Sequence, residues 1–206
     1  MIPGPPQILT CPFCGEKKEV LSLMSGNTCG ASLWSDNKQI APMLPEVSYI
    51  QKCQKCRKYY IVAKQKVVHA KTGFCMDCGT LSFPDIIEAY SQFLTSNEID
   101  GKKEECKIRM MIFQAYNDYY YRNKEEAIKL IDSEHHKLFV ETGLWLIRNH
   151  IHDDLLKAEF YREIGETEKS KEIITKLEYK DEFLKKIASE ISKRLEEGDC
   201  RVFQIY

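Results

Sequence analysis

Three cysteine pairs of the form Cys-x-x-Cys fall before residue 80: Cys11/Cys14 in CPFCG, Cys53/Cys56 in KCQKCRKYY and Cys75/Cys78 in FCMDCG. The segment that holds them carries few large aliphatic residues, so a staple is the natural substitute for a full core. Two residues between thiolates let one tight loop supply two ligands to one ion. Two such loops facing each other make a tetrahedral sulfur cage, whose usual occupant is zinc. Gly15 and Gly79 follow the second cysteine in two of the pairs. A positive φ there turns backbone N–H groups toward the sulfurs. All-cysteine sites are usually closed and structural, whereas a catalytic zinc keeps an open position.

The chain holds nine cysteines, an odd number, and seven of them precede residue 84. That fits a disulfide framework poorly and metal ligation well. The opening MIPGPPQILTC has neither a basic start nor an apolar stretch of useful length, so the expected location is the cytoplasm, where thiols stay reduced. No run of apolar residues is long enough to cross a membrane. Net charge is −1 overall, which gives no global argument for nucleic acid. The charge is uneven, however: residues 1–83 hold 10 Lys/Arg against 5 Asp/Glu, and the remainder holds 20 against 26. Charge and cysteine content both shift near Pro84. The expected organisation is a β segment over residues 1–83 and a helical segment over 84–206, an α+β chain.

Residues 1–9 read as a Pro-rich lead-in without fixed structure. Short strand-like runs follow at EVLSLM, SYI and YYIVA, with turn chemistry at Ser25-Gly26-Asn27 and Ser35-Asp36-Asn37. They suit a small antiparallel sheet with metal knuckles at its turns. From Pro84 the period becomes helical. Helices are expected over residues 84–94, 104–122, 124–132, 135–150, 153–164, 167–177 and 181–196, and the tail RVFQIY reads as a strand. Ala158, Tyr161, Gly165, Ser170 and Ile174 form a tetratricopeptide-like hairpin pattern. Small residues let two antiparallel helices approach, an aromatic fills the gap, and Gly ends the first helix. Shifted back 43 residues, the template falls on Ala115, Asp118, Arg122, Ala127 and Ile131, a partial repeat.

With CPFCG (11–15), SGNTCGASLWSDNKQIAPMLP (25–45), KCQKCRKYY (52–60) and LLKAEFYREIGETEKSKEI (155–173), the chain resembles a bacterial family that has no established activity. Its members have a CPxCG zinc-ribbon-like segment followed by tetratricopeptide-like helices. The resemblance implies that Cys11, Cys14, Cys53 and Cys56 form the shared metal site and that Cys75/Cys78 is an addition. Spacing points elsewhere. Eighteen residues separate the Cys53/Cys56 and Cys75/Cys78 pairs, inside the common ribbon range, against 38 between the first two pairs. We follow the resemblance. One zinc is then expected, or two if Cys29 or His69 joins the remaining pair; a CPxCG cage also resembles rubredoxin, so iron stays an alternative.

Other residues carry weaker signals. His135/His136 point about 100° apart on a helix and chelate poorly, and His150/His152 sit at a helix end where Asp153 or Asp154 caps the next helix. Tyr116 and Tyr119–Tyr121 cannot all face the core, so at least one is left for a surface. Lys52, Lys55, Arg57, Lys58, Lys64, Lys66 and Lys71, interleaved with Tyr59, Tyr60 and Phe74, suit a single-stranded nucleic acid. The polar Ser25–Trp34 segment, with Asn27, Trp34, Ser35 and Asp36, reads as a recognition loop. No Ser/His/Asp arrangement, phosphate loop or paired-carboxylate site stands out. The expected function is a non-enzymatic zinc-binding interaction module with a protein partner on its helical part. The alternatives are a nucleic-acid-binding ribbon and a redox protein using a Cys-x-x-Cys dithiol or a rubredoxin-like iron.

Overall fold

The computed structural model describes residues 1–45, 47–96, 99–122, 124 and 133–206. These separate into two compact units, Met1–Ser32 with Ile40–Asp85, and Leu33–Gln39 with Ile86–Tyr206. The architecture is α+β, with short antiparallel strands first and helices after them. A single cut at residue 84 does not describe it, because the tip of an early hairpin groups with the helices.

The first unit is built from hairpins. Strands β1 (Ile2–Pro3), β2 (Gln7–Thr10), β3 (Lys17–Val20) and β4 (Leu23–Ser25) come first. Next come β5 (Ser32–Leu33), β6 (Gln39–Ile40), β7 (Ile50–Lys52), β8 (Tyr59–Ile61) and β9 (Val68–His69). The lead-in is structured, contrary to the reading of its prolines. β1 pairs with β4, and β2 is the centre of a sheet ordered β3-β2-β9. Prolines at strand starts and edges are compatible with a ladder, and Leu9 is fully buried. β7 and β8 form a separate hairpin, with Ile50 opposite Ile61 and Lys52 opposite Tyr59.

Six α-helices lie among the described residues: α1 (Phe83–Thr95), α2 (Gly101–Tyr120), α3 (Glu134–Asn149), α4 (Asp154–Glu163), α5 (Thr167–Ile174) and α6 (Glu182–Glu197). The helix expected over 124–132 lies, apart from Lys124, outside the described residues, as do Ala127 and Ile131 of the shifted template. Helix starts follow their caps. Ser133 accepts from His136 N–H, Asp153 from Leu156 N–H, and Asp181 from Phe183 and Leu184 N–H. α4 and α5 form a tight hairpin in which the buried Ser170 Oγ donates to Ala158 O at 2.7 Å. α2, α3 and α4 are joined by stacked rings: Phe113 lies 4.5 Å from Phe139 and 4.3 Å from Phe160, and Tyr116 lies 4.1 Å from Phe139. The tail is extended, as its composition suggests, and Gln204 bridges antiparallel to Trp34. No helix among the described residues is long and apolar enough to cross a membrane.

Candidate metal centre

The first two cysteine pairs sit at the turns of two hairpins with the same local geometry. In the first, between β2 and β3, Cys11 N–H donates to Glu16 O at 2.8 Å and Gly15 N–H returns to Cys11 O at 3.0 Å. In the second, between β7 and β8, Cys53 N–H donates to Lys58 O and Arg57 N–H to Cys53 O, both at 2.9 Å. The residue after the second cysteine is left-handed in each, Gly15 at φ 73° and Arg57 at φ 64°. The sequence marks the turn only where it places glycine. In the other loop a residue with a Cβ takes the strained region, which costs about 1–2 kcal/mol.

The two knuckles bring their sulfurs together. Cys11 Sγ lies 3.6 Å from Cys56 Sγ and Cys14 Sγ lies 3.5 Å from Cys53 Sγ. All four lie within 4.8 Å of one another, and all four cysteines are free of disulfides. A tetrahedral zinc with bonds of about 2.3 Å sets sulfurs about 3.8 Å apart. The donor set is therefore of the right kind, number and spacing for one such ion. Cys11, Cys53 and Tyr60 are buried together, with Cys14 and Cys56 packed against them.

Sulfurs this close resist sharing negative charge. The Cys56 backbone N–H, ahead of the other influences, draws the Cys53 thiol down to about 7. At Cys14 the backbone hydrogen bond at Glu16 pulls downward. Burial and the side chains of Cys53, Cys56 and Cys11 outweigh it, pushing this thiol up to about 12. Burial and the four sulfurs push the Tyr60 hydroxyl up to about 12 as well. A divalent cation offsets repulsion of this kind.

Cys75 and Cys78 are not part of this group. The Cys75 Sγ approaches Glu19 O at 3.7 Å and the Cys78 Sγ approaches Met76 O at 3.8 Å. Their loop lacks the knuckle pattern, since Gly79 N–H donates to Asp77 Oδ1 at 2.6 Å. The segment braces the unit instead. Leu21 N–H donates to Asp77 O and Ser48 N–H to Cys78 O. Lys18 joins Asp77 and Gln51 at 3.1 Å each, and the buried Gln51 Nε2 donates to Gly79 O at 3.0 Å. Any Cβ at Gly79 would run into the Gln51 side chain, 2.0 Å away. Burial, then Asp77 and Cys75, push the Cys78 thiol upward, the wrong direction for a reactive dithiol. Cys29 is exposed beside Asn27, and His69 sits exposed in β9. Neither joins a group of metal-ligating side chains among the described residues.

No protein-family model, curated protein or solved structure matches this chain.

The basic and aromatic residues around the knuckles divide. Tyr59 and Tyr60 are buried, so neither can stack on a base. Lys52 pairs with Asp85 and lies over the Tyr59 ring. Lys52, then Ser82 and Tyr59, hold the Asp85 carboxyl down to about 2. Arg57 and Lys58 remain exposed, and Lys58 Nζ lies 4.8 Å from the half-exposed Phe13 ring.

A second polar cluster, which no motif announces, lies inside the helical unit. Asp36, at the hairpin tip, is fully buried and pairs with Arg122. Asn117 Nδ2 donates to Asp36 Oδ2 at 3.1 Å and to Glu163 Oε2 at 2.8 Å. Ser35 Oγ donates to Glu163 Oε1 at 3.4 Å and accepts from Phe203 N–H at 3.1 Å. Arg162, 1% exposed, grips Glu159 through two nitrogens and reaches Arg201 O at 2.9 Å. Burial, then Glu159 and Asp36, push the Glu163 carboxyl well above its ordinary value. Burial acts the same way on Glu159, but Arg162 outweighs it and holds that carboxyl low. Two guanidinium groups thus face three buried carboxyls, with Arg122 also reaching the exposed Asp118, and burial favours the protonated form of Glu163. The expected recognition loop is overturned in this part, because Ser35 and Asp36 are spent holding helices. The histidines are likewise engaged: His136 Nδ1 lies 3.1 Å from Tyr116 OH and His135 Nδ1 lies 3.2 Å from Tyr120 OH. Tyr116, Tyr120 and Tyr121 are buried, and Tyr119 is half-exposed.

Proposed function

We propose that this chain is a non-enzymatic, cytoplasmic zinc-binding module that offers its helical unit to a protein partner. Cys11, Cys14, Cys53 and Cys56 hold one zinc and give the first unit a zinc-ribbon-like character. The four sulfurs on two matching knuckles carry this reading, since such a cage is closed to substrate. The Ser170–Ala158 contact and the Gly165 turn support a tetratricopeptide-like hairpin in α4 and α5, and hairpins of that kind present surfaces to peptides. Tyr119 of α2, half-exposed, is the most accessible of Tyr116, Tyr119, Tyr120 and Tyr121 and supplies an aromatic contact for the partner.

Elemental analysis of the chain with a count of alkylated thiols tests the metal. One zinc with Cys11, Cys14, Cys53 and Cys56 protected and Cys75 and Cys78 modified is expected. Iron, or protection of Cys75 and Cys78 in their place, would replace the reading. For the partner, affinity capture should retrieve a defined protein that is lost with Tyr119→Ala. Capture of nothing specific removes the partner half.

The exposed Phe13, Arg57 and Lys58 at the knuckle tips favour a second reading, binding of single-stranded nucleic acid. It predicts salt-sensitive retention on an oligonucleotide that charge reversal at Lys55, Arg57 and Lys58 abolishes. Absence of retention at low salt ends it.

A further inference from the structure

Residues 203–206 run extended beside the hairpin tip inside the helical unit, with one bridge between Trp34 and Gln204. Ser35 N–H donates to Phe203 O at 2.9 Å, Ile205 N–H to Leu33 O at 2.7 Å, and Leu33 N–H to Tyr206 O at 3.0 Å. In an antiparallel ladder, alternate residues turn their N–H and C=O to opposite edges. Phe203 O and Ile205 N–H face the hairpin on either side of Gln204, so Gln204 directs its own N–H and C=O to the other edge. A cleft of about 690 Å³ runs there. Val202 and Gln204 line it from one face of the tail, and Phe203 and Ile205 from the other. Trp34 of the hairpin lines the cleft as well.

α6 supplies the facing wall, with Phe183, Lys186, Ile187 and Glu190. Phe183 is 48% exposed despite its size. Arg194 and Arg201 also line the cleft but are tied to Asp199, and Arg194 to Glu190. Lys124 and Lys186, by contrast, stand at the cleft without an ion pair among the described residues. The cleft therefore combines an unextended strand edge, an exposed ring and an excess of positive charge.

We infer that this cleft takes an extended acidic segment of a partner protein as an added strand along the outer edge of the tail. The inference rests on the interaction-module reading and names the chemistry of its partner. Main-chain hydrogen bonds to the exposed Gln204 hold the segment, as in other cases of strand addition. Alternate side chains meet Phe183 and Ile187 on one side and the two lysines on the other.

Fluorescence anisotropy with the full, zinc-loaded chain tests it. The probes are a labelled dodecapeptide alternating valine with glutamate and a counterpart alternating valine with lysine. The acidic peptide should bind at least tenfold more tightly at low salt. Gln204→Pro removes an N–H that the hairpin does not use, and it should weaken binding fivefold or more. Lys186→Glu should do the same, with circular dichroism unchanged in both. No binding of the acidic peptide, equal binding of the two peptides, or indifference to both substitutions overturns the assignment. If the acidic peptide fails while a captured partner still depends on Tyr119, the cleft falls and the module reading stands. If capture fails too, both fall.

Discussion

The two units are held together by different means. The first buries a few side chains, such as Leu9, Val20, Ile50 and Ile61, on strands of two to four residues. Its two knuckle hairpins meet through four sulfurs. The helical unit has stacked rings across three helices and a second cluster of Leu155, Ile191, Leu195 and Phe203. Inside that apolar mass it also buries Arg122 and Arg162 against three acids, Asp36, Glu159 and Glu163. On the proposed reading, one unit draws its order from an ion that can be removed, the other from charges fixed in its own chain. Short strands with little core depend on a staple, whereas buried ion pairs need a core already built to surround them.

Removing the metal is the strongest way to break this comparison. Structural zinc contributes about 10–16 kcal/mol of apparent binding energy in small peptides. A chelator, or Cys53→Ser, should therefore abolish hydrogen-exchange protection in β2, β3, β7 and β8. Protection in α2, α3 and α4 should persist, as exchange mass spectrometry can read. Loss of protection in both units together would show that the staple serves the whole chain. No loss in either would show that packing alone holds the hairpins.

The converse experiment targets the charges. Arg162→Leu leaves the buried Glu159 without its ion-pair partner, a change expected to cost about 3–5 kcal/mol. Denaturant unfolding should register it while zinc content stays at the wild-type level. A loss below about 1 kcal/mol would mean that Glu159 simply takes up a proton and that the ion pair holds little.

A subtler distinction lies in pH. Glu163 keeps its proton in the folded state above the pH at which the unfolded chain releases it. Such a group supports folding fully below the unfolded value, near 4.5, and its support is lost as pH rises toward the folded value. Glu163→Gln removes that proton-dependent loss and keeps an oxygen to accept from Asn117. The variant should match the wild type near pH 4 and melt higher at pH 8. An unchanged difference across that range would place the charge of the cluster on another acid.

How far the residues announced all this differs between the units. The spacing of the cysteine pairs and the turn glycine at 15 mark the knuckles, because metal ligation is local chemistry with a fixed separation. Which pairs meet is not local. The 18-residue spacing favoured Cys53/Cys56 with Cys75/Cys78, and only the β2–β3 and β7–β8 hairpins bring Cys11 and Cys14 to Cys53 and Cys56. Helix positions followed from apolar period and caps, with ends within a few residues. The buried cluster was invisible for a physical reason. Glu159, Arg162 and Glu163 lie in a helix as charged residues that ordinarily face water, and their partner Asp36 is more than 80 positions from Arg122. Nothing in a window around any of them signals burial.

The smallest predicted effect separates the two knuckles from each other. Gly15 and Arg57 occupy the same place with the same hand of backbone. Relief of the left-handed cost favours Arg57→Gly by about 1–2 kcal/mol, and the extra freedom of glycine in the unfolded chain returns about 0.5–1 kcal/mol. The net should be a gain of about 0.5 kcal/mol in zinc-loaded stability, with Gly15→Ala a loss of about 1 kcal/mol. Arg57 is exposed, so little packing is lost in the exchange. Competition with a zinc chelator can read both, because any strain in a knuckle subtracts from metal affinity. If Arg57→Gly weakens zinc binding instead, the arginine serves the knuckle through its side chain, and the two loops are equivalent in backbone only.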